Sequence, residues 1–273
     1  MVNISVIGGD NRNVILSNLL EKDGFNVFRN SIGFNDCSLE GCIEKSDYIV
    51  TATPFSVDSE NVYCPLSSDI IRIEDFFKLL KNKTVIGGKF SKEHSDELTK
   101  SGNTVIDLMR NESLALKNAI PTAEGIVKII IENTDITING SNIAVLGFGR
   151  IGKRISKILN SMGANLFCMD TSEEEVANIK LCGYNVLEDI CMNHENLDVI
   201  VNTVPKMVIG EREFNFINKD SLIIDVASKP GGVDFKYAKE NGYNVIHALG
   251  IPGKIAPVTS AKYIEEIIKN LII

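Results

Sequence analysis

One strand–turn–helix–strand pattern occurs twice in this chain. Asn3-Ile4-Ser5-Val6-Ile7-Gly8 matches Asn142-Ile143-Ala144-Val145-Leu146-Gly147, and at the same offset Gly24-Phe25-Asn26-Val27-Phe28 matches Gly163-Ala164-Asn165-Leu166-Phe167. The echo continues from Asp47-Tyr48-Ile49-Val50-Thr51-Ala52-Thr53-Pro54 to Asp198-Val199-Ile200-Val201-Asn202-Thr203-Val204-Pro205. Later, Thr84-Val85-Ile86 answers to Ser221-Leu222-Ile223, and Gly102-Asn103-Thr104-Val105-Ile106 to Gly242-Tyr243-Asn244-Val245-Ile246. Apolar runs of strand length separated by helical stretches read as βαβ units, which build parallel sheets covered by helices on both faces. A pattern written twice predicts an α/β chain of two Rossmann-like domains, tandem doubly wound parallel sheets with an interdomain cleft.

The joint is read at Ile120-Pro121-Thr122-Ala123-Glu124-Gly125, because a proline cannot donate to a preceding helical turn. This gives an N-terminal substrate-side domain over 1–120 and a dinucleotide-binding domain over 121–256, with a helix from about Thr122 to Glu132 at its start. In the last segment, 257–273, Tyr263, Ile264, Ile267, Ile268 and Leu271 recur at helical spacing. That helix is expected to return to the first domain.

Composition excludes several function classes. A net charge of −8 argues against a nucleic-acid footprint or an anionic membrane surface as partner. No stretch is long and apolar enough to span a bilayer, and Met1-Val2-Asn3-Ile4 opens without the basic stretch of a signal peptide, so a cytoplasmic protein is expected. The six cysteines, Cys37, Cys42, Cys64, Cys168, Cys182 and Cys191, contain no CxxC pair and are expected to be scattered buried thiols. The three histidines do not cluster with them, so no metal site is expected.

Chemistry enters at Gly147-Phe148-Gly149-Arg150-Ile151-Gly152. A GxGxxG is weak evidence alone, but this one follows an apolar strand and opens a helix carrying Ile151, Ile155, Ile158 and Leu159. Gly147 permits the tight turn, Gly149 lets a pyrophosphate approach the backbone, and Gly152 lets helix and strand pack closely. The helix N-terminus supplies unpaired N–H groups and a positive dipole end. Asp170 ends the next strand, where an acid accepts hydrogen bonds from the adenosine ribose and opposes a 2′-phosphate. In the first copy Asp10 stands where Gly149 stands in the second, and Asn13 where Gly152 stands. An aspartate would repel a pyrophosphate, so the first domain is not expected to bind the same cofactor. Asn202-Thr203-Val204-Pro205 and Asp225-Val226-Ala227-Ser228 end strands of the second domain and are expected to border the nicotinamide, with Thr203, Val204, Pro205, Ala227 and Ser228 as the candidate contacts.

Four stretches carry a more specific likeness. Ile120-Pro121-Thr122-Ala123-Glu124-Gly125, the Gly147–Gly152 loop, the stretch from Asp225 to Phe235 with its SxPGGxDF pattern, and Gly250-Ile251-Pro252-Gly253-Lys254-Ile255-Ala256-Pro257 together resemble the family of dipicolinate synthase A-type subunits, from an enzyme of spore-forming bacteria. The likeness spans essentially the whole chain, including Gly8-Gly9-Asp10; more distantly, the layout is similar to alanine and 2-hydroxyacid dehydrogenases and to adenosylhomocysteine hydrolase. The resemblance implies oxidation of a dihydro- or hydroxy-tetrahydrodipicolinate to the aromatic pyridine dicarboxylate, with NADP or NAD as acceptor. It implies the flavoprotein-like B-type subunit of dipicolinate synthase as partner and residence in the mother cell; a homo-oligomer is compatible with it. The family is usually linked to NADP, whereas Asp170-Thr171-Ser172 lacks the adjacent basic residue a 2′-phosphate needs and leans toward NAD.

A dianionic substrate calls for cations. Arg110, Lys206 and Lys229 are the candidates for binding it, Arg110 and Lys229 also stand as candidate catalytic groups, and Glu124 is the candidate general acid–base. If none of the cations serves, the backbone N–H groups of Gly231 and Gly232 are next. Two other readings stand beside this one: a 2-hydroxyacid or amino-acid dehydrogenase of the same plan, and a non-catalytic NAD(H)-sensing regulatory protein.

Overall fold

A computed structural model describes residues 1–192 and 196–272. His194 and Ile273 lie outside the described residues. The chain divides into two compact units, Met1–Lys117 with Ala256–Ile273, and Asn118–Ile255.

The first unit is built on β1 (Asn3–Ile7), α1 (Asn11–Lys22), β2 (Asn26–Asn30), α2 (Leu39–Lys45), β3 (Tyr48–Thr51), α3 (Ile73–Leu79), β4 (Thr84–Gly87), α4 (Lys92–Lys100) and β5 (Thr104–Asp107). Its five strands are all parallel and ordered β2-β1-β3-β4-β5. Alternation along β1 assigns the two faces: Ile4 and Val6 pack with Leu16 and Leu20 of α1, and Ile7 packs with Ile49, Val85 and Phe76 on the other side. Asp10 caps α1 by accepting the N–H of Arg12.

The long helix α5 runs Glu112–Asn133 and contains Pro121 in its interior. This corrects the expectation that Pro121 ends one element and starts another. An internal proline costs about 3 kcal/mol. Against that stand Leu114, Ala119, Ala123, Ile126 and Ile130, all buried at helical spacing, each isoleucine contributing about 1.5–3 kcal/mol. Thr122 lies beside the break and donates its Oγ1 to the carbonyl of Asn118 at 2.7 Å. The division between the units therefore falls inside a helix.

The second unit continues with β6 (Asn142–Leu146), α6 (Arg150–Ser161), β7 (Asn165–Met169), α7 (Glu173–Leu181), β8 (Asn185–Val186), β9 (Val199–Asn202), α8 (Glu211–Phe214), β10 (Leu222–Asp225), α9 (Phe235–Glu240), β11 (Asn244–His247) and α10 (Ile251–Ile255). Its sheet is parallel, in the order β11-β10-β9-β6-β7-β8. The chain builds β6-β7-β8 on one side and then returns to add β9, β10 and β11 on the other, as in the doubly wound order 3-2-1-4-5-6 of dinucleotide-binding domains. The short strand β8 has no counterpart in the first unit and no echo in the sequence. Ile143 and Val145 face Ile126, Ile155, Leu159 and Ile251, while Ala144 and Leu146 face Phe214 and Ala238.

The last helix, α11 (Pro257–Ile272), packs on α1: Ala261, Ile264, Ile267 and Ile268 are buried with Leu16 and Leu20. Lys269 adds an ion pair to Asp23 at 3.1 Å. No helix among the described residues is long and apolar enough to cross a membrane.

The cysteines are not all thiols. Cys37 and Cys42 form a disulfide with Cα atoms 6.0 Å apart. Ser38 caps α2 between them, and the first turn carries Cys42 back over Cys37. Pattern reading missed this because five-residue spacing is no recognised motif. Of the free cysteines, Cys168 is buried and its thiol is pushed up to about 11 by desolvation, whereas Cys182 is exposed.

Candidate functional site

In the second sheet the chain leaves β6 toward β7 on one side, while β9 lies on the other. Ligands of open α/β sheets collect at such a switch point, beyond the strand C-termini. Gly147 follows β6 with φ 91°, and a Cβ there would lie 2.5 Å from Thr203 Oγ1 and 2.8 Å from Val204 Cγ2. Thr203 donates its hydroxyl toward the carbonyls of Leu146 at 3.0 Å and Gly147 at 3.2 Å. The loops after β6 and β9 are thus packed together, and Thr203 and Val204 lie against the glycine turn.

The other two glycines of the loop behave oppositely. A Cβ on Gly152 would come within 1.9 Å of the Gly147 carbonyl oxygen, so any side chain there would force helix and turn apart. Gly149 is exposed, and a Cβ on it would meet nothing within 4 Å. It is the N-cap of α6, makes no side-chain capping hydrogen bond and brings no side chain of its own to the first turn. This is the cradle a pyrophosphate requires, and the residues present fit a dinucleotide.

Asp170 lies just past β7. Its Oδ2 accepts the N–H of Phe148 at 2.7 Å, and its Oδ1 accepts that of Ser172 at 2.9 Å. A carboxylate has about four lone-pair positions, so about two remain for ribose hydroxyls. The surroundings are acidic: Glu173, Glu174 and Glu175 form the first turn of α7. Lys153 is tied to Glu175 at 2.7 Å, and that hydrogen bond is the main reason the Glu175 carboxyl sits below its usual range. Phe148 contributes its backbone only, since its ring is buried and meets Tyr184 edge-on at 6.2 Å. Ile151 packs its side chain toward the core, and Arg150, exposed, is the first residue of α6.

Asp225, read from the sequence as part of a strand end bordering the nicotinamide, organises the other half of this edge from the inside. It lies at the end of β10 and is fully buried. Its Oδ1 accepts Asn202 Nδ2 and the N–H of Ala227, both at 2.9 Å, and its Oδ2 accepts the N–H of Gly232 at 2.8 Å. Asn202 is also fully buried and accepts the N–H of Val204 at 3.0 Å through Oδ1. One carboxylate–amide pair therefore ties the end of β9, the end of β10 and the 228–232 turn into one unit. The turn includes a cis peptide between Lys229 and Pro230. The motif alone placed Asp225 at a strand end but could not tell a solvent-facing ligand group from a buried anchor.

Gly231 and Gly232 cannot serve as anion donors. Gly231 donates to Ser228 O at 2.9 Å and Gly232 to Asp225, so both N–H groups are spent. Ala227 is buried, whereas Ser228, Lys229, Pro205 and Lys206 are less so, and both lysines are exposed. A Cβ on Gly232 would lie 2.5 Å from Val204 O and 2.9 Å from Lys206 O, so the two lysine-bearing loops run side by side. Lys206 and Lys229 make no ion pair among the described residues. Glu124, exposed on α5, belongs to this unit, while Arg110, exposed, ends a short 3-10 turn after β5 in the first unit. His247 stacks its ring on Phe235 at 4.6 Å.

In the first unit the corresponding turn is built differently. Gly9 donates to the carbonyl of Tyr63 at 2.8 Å, and a Cβ on Gly8 would lie 2.8 Å from Cys64 Sγ. The chain's own 63–64 segment thus covers the turn after β1. The Asp10 carboxylate caps α1 and pairs with Arg12 at 2.9 Å, so negative charge already sits where a phosphate would.

Comparison with known proteins places these features. Residues 3–109 match the model of the N-terminal domain of the dipicolinate synthase A-type subunit, and residues 128–230 match the NAD-binding domain of D-isomer-specific 2-hydroxyacid dehydrogenases. The A-type subunit of dipicolinate synthase from Bacillus subtilis (strain 168) is 27% identical, over 98% of this chain and 95% of its own. The crystal structure of the A-type subunit from Bacillus halodurans superposes with a TM-score of 0.88 at 26% identity, covering 99% of this chain and 97% of the other. That of the Bacillus subtilis protein superposes at 0.87, with 26% identity and coverage of 99% and 95%. These matches support NAD(H) use by an oxidoreductase, and the chain is, over its whole length, a relative of the A-type subunits of dipicolinate synthase.

Proposed function

We propose that this chain is the NAD(P)-dependent subunit that oxidises a dihydro- or hydroxy-tetrahydrodipicolinate to dipicolinate. The observation that carries the reading is the Gly147–Gly152 cradle, open at Gly149, in a chain that resembles the A-type subunit of dipicolinate synthase from end to end. When bound, the dinucleotide supplies the two-electron acceptor. From a dihydro substrate a hydride leaves a ring carbon and a proton leaves with it; a hydroxy-tetrahydro substrate also sheds water, and aromatisation of the ring drives the step. In the second unit Lys206 and Lys229 hold carboxylate oxygens, Lys229 orients the ring for transfer, and Glu124 takes the proton. Thr203, Val204, Pro205, Ala227 and Ser228 border the nicotinamide. The flavoprotein-like B-type subunit is the expected partner, and the setting is the mother cell of a sporulating bacterium. Anaerobic incubation with aspartate semialdehyde, pyruvate and dihydrodipicolinate synthase, with and without the B-type subunit, tests this directly. Reduced cofactor and the ultraviolet absorption of dipicolinate should rise together. Cofactor reduction with lactate or alanine instead, and none with this mixture, would move the chain to the 2-hydroxyacid or amino-acid dehydrogenases.

Asp170 and the acidic start of α7 favour NAD over NADP. A carboxylate facing a 2′-phosphate costs on the order of 1–3 kcal/mol when partly buried. Asp170→Ala should move the NADP/NAD affinity ratio toward NADP by roughly 10-fold or more. Both affinities should also fall modestly, because the variant releases the N–H of Phe148. Fluorescence titration with both reduced cofactors reads this; an unmodified protein that binds NADPH far more tightly than NADH would remove Asp170 from the ribose.

A further inference from the structure

Lys89 stands in Gly87-Gly88-Lys89-Phe90, just past β4. Its backbone is left-handed, with φ 60°. The other non-glycine residues in that region among the described ones are Ser31, Ser59 and Asn82, all short and polar. A lysine has no local hydrogen bond that would favour this conformation, so the surroundings impose it. They do so from both sides. Asp107 Oδ1 accepts the N–H of Lys89 at 2.9 Å and that of Met109, also at 2.9 Å. Gly88 donates to Ala52 O at 3.2 Å and accepts from the N–H of Phe55 at 2.7 Å.

The strained lysine has a neighbour of the same charge. Gly87 of β4 is in register with Asp107 of β5, so Lys89 and Arg110 leave the C-terminal edge of adjacent strands, two and three residues on. Both are exposed. Neither makes an ion pair among the described residues, and the Asp107 oxygen between them in the turn is bonded to backbone N–H groups. Two cations without carboxylate partners, one held on a rigid and costly backbone at the ligand-binding edge of a sheet, suit a small carboxylate: a planar fork from arginine and a point charge from lysine.

We infer that Lys89 and Arg110 form a carboxylate-binding subsite on the first unit. It takes one carboxylate of the substrate, and the inference rests on the proposed reading of that substrate as a pyridine-type dicarboxylate. Lys89 is the specificity-determining member that the repeat did not reveal.

The left-handed backbone makes the test clean, because K89G places glycine where its conformation is already adopted. The probe is pyridine-2,6-dicarboxylate, titrated calorimetrically into the NAD-saturated full chain. K89G should keep its melting temperature and its NAD affinity while binding the dicarboxylate about 10-fold more weakly or worse. K89R, which keeps the charge, should stay within about 3-fold of the unmodified protein. K89G binding the dicarboxylate as tightly as the unmodified chain overturns the subsite and leaves the proposed function standing. No dicarboxylate binding by the unmodified, NAD-saturated chain overturns both.

Discussion

Gly149→Asp should abolish NAD(H) binding in a protein that remains folded. The substitution copies into the second unit the residue that the first unit carries at the equivalent turn, Asp10. Its steric cost is small: φ at Gly149 is −76°, ordinary for any residue, and a Cβ would meet nothing within 4 Å. An aspartate there would cap α6 as Asp10 caps α1, a change that favours the helix by about 1 kcal/mol or less. The same carboxylate would occupy the N–H groups intended for the pyrophosphate and repel it. Two like charges about 4 Å apart at a protein surface interact by roughly 4 kcal/mol, and even about 3 kcal/mol is more than about 100-fold in Kd. The expected signature is therefore a melting temperature held or raised together with loss of the NADH fluorescence titration. Unchanged titration would move the cofactor away from the second unit. Gly149→Ala separates charge from size and should weaken binding far less.

The contrast between Gly149 and Asp10 was legible in the sequence because it rests on a repeat and on residue chemistry at matched positions. Strand placement was legible for the same reason: buried parallel strands are short apolar runs, and nearly every run occurred twice. What escaped was whatever depends on tertiary context. Pro121 reads as punctuation from local backbone chemistry, yet apolar burial on both sides of it carries α5 through. The two-residue strand β8 is too short to show periodicity. The Cys37–Cys42 disulfide depends on where α2 starts rather than on spacing. Lys89 looks like any surface lysine until its φ and the grip of Asp107 are known. In the site, the glycine loop was readable because backbone geometry dictates glycine. The substrate cations were named only by charge and position, and the exposure of Lys206, Lys229 and Arg110 agrees with an accessible role without selecting one.

Asp225 was visible as part of a motif and invisible as an anchor, and it carries the second large effect. Its buried carboxylate is compensated by three N–H donors, from Asn202, Ala227 and Gly232, and makes no ion pair among the described residues. Asp225→Asn keeps the shape and replaces one acceptor oxygen with an NH2 group. Whichever way the amide turns, at least one N–H now faces a donor. If the NH2 replaces Oδ2, Gly232 loses its acceptor; if it replaces Oδ1, Ala227 and the Asn202 amide lose theirs. Each buried donor left unsatisfied costs about 1–3 kcal/mol, so the variant should lose about 2–4 kcal/mol, on the order of 5–12 °C in melting temperature for the second unit. The loss should not be confined to stability. Gly232 accepts the N–H groups of Val208 at 2.8 Å and Ile209 at 3.0 Å through its carbonyl, so releasing its own N–H loosens the 204–209 segment as well as the 228–232 turn. Those segments carry Val204, Pro205 and Lys206 on one side and Ser228 and Lys229 on the other. NADH affinity should therefore fall by roughly 10-fold or more even at temperatures where the variant is folded, while the Gly149 cradle itself is untouched. Asn202→Ala should weaken the same construction, and because the two residues share one network the double variant should cost clearly less than the sum of the single ones. Additive losses in that cycle, or an Asp225→Asn protein that melts within about 2 °C of the unmodified one, would mean that the 228–232 turn is held by its own conformation and not by the buried carboxylate.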